Sequence, residues 1–188
     1  MIGRSLSSRG AMAFVGGVAA AALMSRLLPP LAAQATGAVG GMMGGDPFRV
    51  LVRDHQIMLS LLERMTRDDS AAGARKARFL MLKRRLAAHA LAEEDAIYPL
   101  LHDAQERREH ARRLYAEHAE IKVLMHGLEH TRADDPAWQV KAAALKDLIG
   151  SHARDEEENV FPVMRSRLDD SERGRLGGEI RREKALVL

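Results

Sequence analysis

Apolar side chains recur at spacings of three and four along four stretches of this chain, the period of helices with one buried face. The first stripe runs Phe48, Leu51, Val52, His55, Met58, Leu59, Leu62 and Met65. Asp46-Pro47 precedes it, an acid placed to cap and a proline suited to a first turn. Asp68-Asp69-Ser70 and Gly73 punctuate its end. The second stripe carries Phe79, Leu82, Leu86, His89, Glu93, Ile97 and Leu100, with Pro99 predicting a kink or stop. Leu114, His118, Ile121, Met125 and Leu128 form the third, which ends in a turn over 131–136 that also caps the next helix. The fourth carries Trp138, Leu145, Leu148 or Ile149, His152, Glu156, Val160 and Val163, with Pro162 placed as Pro99 is. Short connections imply antiparallel neighbours, so the predicted fold is all-α, an antiparallel up-down-up-down four-helix bundle.

Six positions on these stripes are polar where the pattern calls for apolar residues: His55, His89, Glu93, His118, His152 and Glu156. They belong to an internal repeat. His89 to Pro99 reappears as His152 to Pro162, an offset of 63, and the same offset carries Asp54-His55 onto Glu117-His118. Two helix pairs closing face to face account for it better than a solenoid, which needs more repeats. A His and a Glu four apart point the same way from a helix. Two unpartnered carboxylates among four imidazoles would cost several kcal/mol in an apolar core. Metal ions convert that defect into a ligand set, so the six residues are the candidate metal ligands. His102, His110, His126 and His130 have no repeat partner and are expected at the surface or outside the ligand set.

Composition narrows the chemistry. The chain of 188 residues has no cysteine, which excludes disulfides, thiolate sites and iron–sulfur clusters. His and carboxylate ligands suit iron, manganese or zinc. The net charge is +3, with arginines scattered among acids and without interleaved aromatics. No nucleic-acid partner is expected from that pattern.

Residues 1–45 differ in kind. Arg4 and Arg9 precede an apolar run from Ala11 to Met24, followed by Arg26, Pro29-Pro30 and a glycine-rich stretch. A secretory signal, with Ala33-Gln34-Ala35 at its cleavage site, fits this outline. So does a marginal membrane anchor in which Arg26 reaches the interface, or a flexible apolar tail. Export or membrane association through residues 1–35 is slightly favoured, with membrane contact through that segment. Residues 46–168 form the predicted domain, and 169–188 a charged tail or one further helix weakened by Gly177-Gly178.

Asp54-His55, His89-x-x-x-Glu93-Glu94-x-x-Ile97-Tyr98-Pro99, Glu117-His118 and His152-x-x-x-Glu156-Glu157-x-x-Val160-Phe161-Pro162 resemble the hemerythrin-like HHE cation-binding family. The resemblance implies a non-haem di-iron centre, with two iron ions, in a four-helix bundle. It makes His55, His89, His118 and His152 terminal ligands and Glu93 and Glu156 bridging ones. The sequence departs from the oxygen carriers, which have a second His one turn along the third helix where this chain has Lys122. They also use an acid five residues after the fourth-helix His, here Glu157, whereas the repeat favours Glu156. The four-His, two-Glu set resembles the iron-centre repair proteins of nitrosative stress, without their cysteine-bearing domain.

Four imidazoles and two bridging carboxylates fill about eight of the roughly twelve positions of two irons, and an oxo or hydroxo bridge about two more. About two remain for a small ligand. The expected function is to bind, sense or react with dioxygen, nitric oxide or peroxide. Iron storage or donation, iron-centre repair and a peroxide-consuming di-iron enzyme are the alternatives, and Tyr98 and Tyr115 are the possible redox or proton partners. Neutral imidazoles predict metal loss below about pH 5–6, from an ordinary His pKa near 6.5.

Overall fold

The structure, a computed structural model, describes residues 45–67, 71–102 and 104–188. The apolar segment of residues 1–44 and the Asp68-Asp69-Ser70 punctuation lie outside the described residues. Among those described, no helix is long and apolar enough to cross a membrane.

The chain is an all-helical bundle. Its four long helices are α1 (Phe48–Met65), α2 (Ala72–Ala92), α3 (Gln105–Glu129) and α4 (Pro136–Asp155). A short helix α5 (Phe161–Arg167) continues the line of α4, and α6 (Asp170–Ala185) closes the chain. Helix α1 packs on α2 and α4, α3 packs on α4, and α6 packs on α2. The starts are those the sequence proposes. Asp46 Oδ1 accepts from Phe48 N–H at 3.1 Å, and Asp135 Oδ1 accepts from Ala137 N–H at 2.8 Å with Pro136 in the first turn. Gly73 falls inside the first turn of α2 rather than before it.

The residues from 169 onward are not a loose tail. Asp169 and Glu172 form a reciprocal capping box, each carboxylate accepting the other's backbone N–H at 2.8 Å. Leu176 and Ile180 then bury against the bundle. That anchorage outweighs the cost of Gly177 and Gly178, roughly 1 kcal/mol each in a helix interior.

Both predicted kinks exist, and their form shifts the buried face. Pro99 has no N–H, and its ring would strike the Asp95 carbonyl of a regular helix. The chain answers with a wider π turn over Glu93–Ile97, in which Tyr98 N–H donates to the Glu93 carbonyl, followed by a 3₁₀ turn, Tyr98–Leu101. Pro162 does the same to Glu156–Val160, where Phe161 N–H donates to the Glu156 carbonyl. Each wide turn inserts one residue into the helical register. Leu101 is therefore buried while the expected Leu100 is 44 % exposed. Likewise Met164 is buried while the expected Val163 is 39 % exposed. Both π turns begin at the glutamates expected to bind metal.

The interior has three layers. One apolar cluster contains Phe48, Leu51, Leu114, Val160 and Phe161, and the other contains Met58, Leu62, Leu82, Ile121 and Trp138. Helices α1, α2 and α3 cross from one cluster to the other through their own histidines, and α4 does so through His152 and the π turn that follows it. Leu51 gives way to His55 and then Met58 in α1, and Leu114 to His118 and then Ile121 in α3.

Candidate metal centre

The polar layer between the clusters contains all six candidate ligands. His55, His89, Glu93, His118, His152 and Glu156 are all buried, the two glutamates completely. They form two adjoining groups. His55, His89, Glu93 and Glu156 bring one donor atom each to within 4.8 Å of one another, and so do Glu93, His118 and His152. Glu93 stands in both groups.

Every imidazole presents Nε2 to the centre. His89 Nε2 lies 2.9 Å from Glu93 Oε1, and His118 Nε2 lies 3.4 Å from Glu93 Oε2. His55 Nε2 and His152 Nε2 lie 3.3 and 3.6 Å from Glu156 Oε2. His118 Nε2 also faces His152 Nε2 at 3.2 Å.

The other ring nitrogens face outward onto carboxylates. His55 Nδ1 is 2.8 Å from Glu157, His118 Nδ1 2.8 Å from Glu94, and His152 Nδ1 2.7 Å from Glu117. His89 Nδ1 faces Asp54 at a longer 3.5 Å. A carboxylate ion only accepts, so the Nδ1 atoms of His55, His118 and His152 carry protons and donate outward. With Nδ1 so engaged, Nε2 of these three rings is the atom that offers its lone pair to the centre once deprotonated, the arrangement common to metal-binding histidines. Each acid is a sequence neighbour of a candidate ligand but serves a histidine on another helix.

These outer acids are themselves held. Asp54 is buried and receives Arg85 Nη1 at 2.7 Å and the Lys184 ammonium of α6. Burial works against the Asp54 carboxylate, yet His89 and Lys184 bring its pKa down to about 2. Lys122 Nζ sits 2.8 Å from Glu94, and His118 with Lys122 holds that carboxyl at about 2. Lys122 thus serves the outer ring from the position where oxygen carriers have a histidine.

The inner groups fit cations. Among the described residues, His55 Nε2, both ring nitrogens of His89, both Glu93 oxygens and Glu156 Oε2 are buried and find no hydrogen-bond partner. Without a metal, protons do the balancing. Burial pulls the His55 pKa down, but Glu156 and Glu93 outweigh it and raise it to about 10. The same contest at His118, won by Glu93 and Glu94, ends at about 9. Burial also opposes the charged form of Glu93, but His89 and the other imidazoles hold its pKa down, whereas burial and Glu93 push Glu156 up. The donor set is hard and nitrogen–oxygen only, which suits iron, manganese or zinc.

Tyr98 is also in the centre. Its buried hydroxyl donates to Glu156 Oε1 at 2.9 Å and lies 3.0 Å from His118 Nε2. Burial and the nearby glutamates keep the phenol protonated. Tyr115 is instead at the rim, its hydroxyl donating to the Glu94 carbonyl at 2.9 Å.

Of the histidines outside the repeat, His110 pairs with Asp155 at 2.5 Å and His126 stacks on His130 at 4.1 Å between ring centres. His102 is exposed, and none of the four belongs to either ligand group.

Pattern reading missed the work of the outer acids. Their signal was present, since Asp54, Glu94, Glu117 and Glu157 all recur at the 63-residue offset. Lys184 and Arg85 gave no such signal, because neither has an equivalent in the other half.

Comparison with known proteins agrees with the geometry. Residues 46–164 match the family described as hemerythrin HHE cation-binding domain. The chain is also similar to a DNA nickase of Nostoc sp., 28 % identical over 108 residues, which are 54 % of this chain and 29 % of that protein. It therefore spans under a third of that relative's length. No solved structure matches it. The match over 46–164, carrying both copies of the buried His-Glu unit, places this chain in the hemerythrin HHE cation-binding family.

Proposed function

We propose that this chain is a non-haem di-iron protein that binds, senses or reacts with a small oxidant: dioxygen, nitric oxide or peroxide. One observation carries the proposal. Four Nε2 lone pairs and two buried carboxylates converge on two adjoining points, while the Nδ1 atoms are turned outward to carboxylates. The proposed ligands are His55, His89, Glu93, His118, His152 and Glu156. Glu157 stays outside the set because its carboxylate, 37 % exposed, is engaged by His55 Nδ1.

Two irons bound there would supply Lewis-acid and redox chemistry, with coordination positions left over for a small exogenous ligand. The protein's own residues do the rest. The outer carboxylates fix ring orientation and raise imidazole basicity. Phe161, stacked 6.2 Å from His55 and 5.1 Å from Phe48, keeps water off one side. Tyr98 holds a proton at Oη against Glu156.

The test is optical. Protein loaded with Fe(II) without air should develop ligand-to-metal absorption on exposure to dioxygen, nitric oxide or peroxide. A spectrum unchanged by all three sinks the proposal. The buried Tyr98 hydroxyl favours a second reading, peroxide consumption, in which it serves as proton donor. Oxygen evolution from peroxide that Tyr98→Phe lowers at least about tenfold, the usual scale for a lost acid or base, would support it. Turnover insensitive to that change would remove Tyr98 from it.

A further inference from the structure

The repeat makes two half-sites, but the halves are not equal. We infer that the position bounded by His55, His89, Glu93 and Glu156 fills first, and that the position bounded by Glu93, His118 and His152 fills second and more weakly because Tyr98 holds Glu156 out of it. This rests on the two-metal reading above.

The donor sets differ in number. Four side chains converge on the first position and three on the second. The missing donor is Glu156, and its environment explains why. Glu156 Oε1 accepts the Tyr98 hydroxyl at 2.9 Å, and the same hydroxyl is 3.0 Å from His118 Nε2, a donor of the second position. The phenol therefore lies between Glu156 and that position. Glu156 Oε2 remains, closer to His55 Nε2 at 3.3 Å than to His152 Nε2 at 3.6 Å.

Glu93 is the control built into the chain. It occupies the same place in the other copy of the repeat, and neither of its oxygens makes a hydrogen bond among the described residues. The residue 63 positions beyond Tyr98 is Phe161, which has no hydroxyl to offer. Phe161 stacks on Phe48 and His55 instead. Glu93 is thus free to serve both positions, as its presence in both groups shows, and Glu156 serves one. A single oxygen atom, present on Tyr98 and absent from Phe161, divides the two halves.

The consequence is a division of labour. The first position is the better enclosed by protein and anchors the centre. The second has fewer protein donors, so it leaves more room for an exogenous ligand.

Manganese(II) tests this without any turnover. The full chain, stripped of metal, is titrated anaerobically and followed by calorimetry and electron paramagnetic resonance. The first equivalent should give the six-line signal of an isolated ion. The second should bind at least about tenfold more weakly, the scale on which a metal site responds to loss of a supporting group, and should broaden the signal by coupling. His152→Ala should keep the tight step and lose the weak one. Tyr98→Phe should release Glu156 Oε1 and bring the two steps to within about threefold, given that same scale. Two ions entering together, with a coupled signal from the first addition, would overturn the inference. So would a tight step abolished by His152→Ala, or a step separation unchanged in Tyr98→Phe. Failure of the wild-type chain to bind manganese, iron or zinc would instead overturn the two-metal reading itself. The wild-type titration decides whether filling is stepwise even if a variant does not fold, and His152→Ala assigns the steps.

Discussion

Adding metal to the metal-free protein at pH 7 should release at least about two protons per chain, with His89 and Glu156, whose pKa values are both raised, able to add to them. The protons are identifiable. His55, with a pKa raised to about 10 by Glu156 and Glu93 against the pull of burial, is doubly protonated at that pH. His118, raised to about 9 by Glu93 and Glu94 against the same pull, is too. In each ring the Nδ1 proton is engaged by Glu157 or Glu94, so the proton that must leave is on Nε2, the atom facing the centre. Displacing protons held that tightly costs about 4 kcal/mol at His55 and about 3 at His118 at pH 7, at 1.36 kcal/mol per pH unit. The affinity of each position should therefore climb about tenfold from pH 7 to pH 8, about 100-fold for the pair together, and flatten above about pH 9–10 as both rings lose the proton unaided. This moves metal loss to higher pH than ordinary histidines would give. Calorimetric titration in two buffers of different ionisation enthalpy counts the protons directly. Release of fewer than about half a proton at pH 7, or an affinity flat between pH 7 and 9, would refute the reasoning.

The same groups set the stability of the metal-free fold. His55 and His118 have folded pKa values above the ordinary 6.5, so their contribution is complete below about 6.5 and lost as pH rises through about 9–10; melting temperature should fall across that window. Asp54 and Glu94 are depressed to about 2, so their contribution is present above about 4.5 and lost as pH falls toward 2, which acid unfolding curves would show. Asp54→Ala leaves the buried Lys184 ammonium unpaired and should cost about 3–5 kcal/mol in denaturant titrations. Glu117→Gln, at a carboxylate one-third exposed, should cost less than about 1 kcal/mol yet lower metal affinity about 10–100-fold. Trp138→Ala, in the apolar cluster that begins beyond Met58, should cost about 3–5 kcal/mol while metal content at low temperature stays unchanged.

The ligand candidates were legible because burial and polarity conflict at only a few stripe positions, and the repeat marks the same ones twice. His55, His89, His118 and His152 lie where a period of three and four puts them. Periodicity failed just past the glutamates. A sequence stripe assumes an unbroken helix, and the π turns at Glu93 and Glu156 each shift the buried face by one residue. Leu101 and Met164 replace Leu100 and Val163 for that reason. Pro99 and Pro162 announced a disturbance but not its form. The end of the chain was legible only in part. Its sequence suggested a charged tail or one further helix, and the helix forms, but Lys184 pairs with Asp54, 130 residues earlier. No local pattern reports a contact of that range. Tyr98 and Tyr115 were equal candidates for a redox or proton partner, and only the fold separates them, turning the Tyr98 hydroxyl toward Glu156 and the Tyr115 hydroxyl toward the Glu94 carbonyl.

The central claim is that the six buried donors hold two irons. Mössbauer spectroscopy with quantitative metal analysis on the natively expressed protein, grown with ⁵⁷Fe, tests it most directly. The account predicts two tightly held irons per chain, in high-spin nitrogen–oxygen coordination, both lost in the double variant His55→Ala/His118→Ala. Iron near zero in the native protein, or an iron content that survives that double substitution, would contradict it.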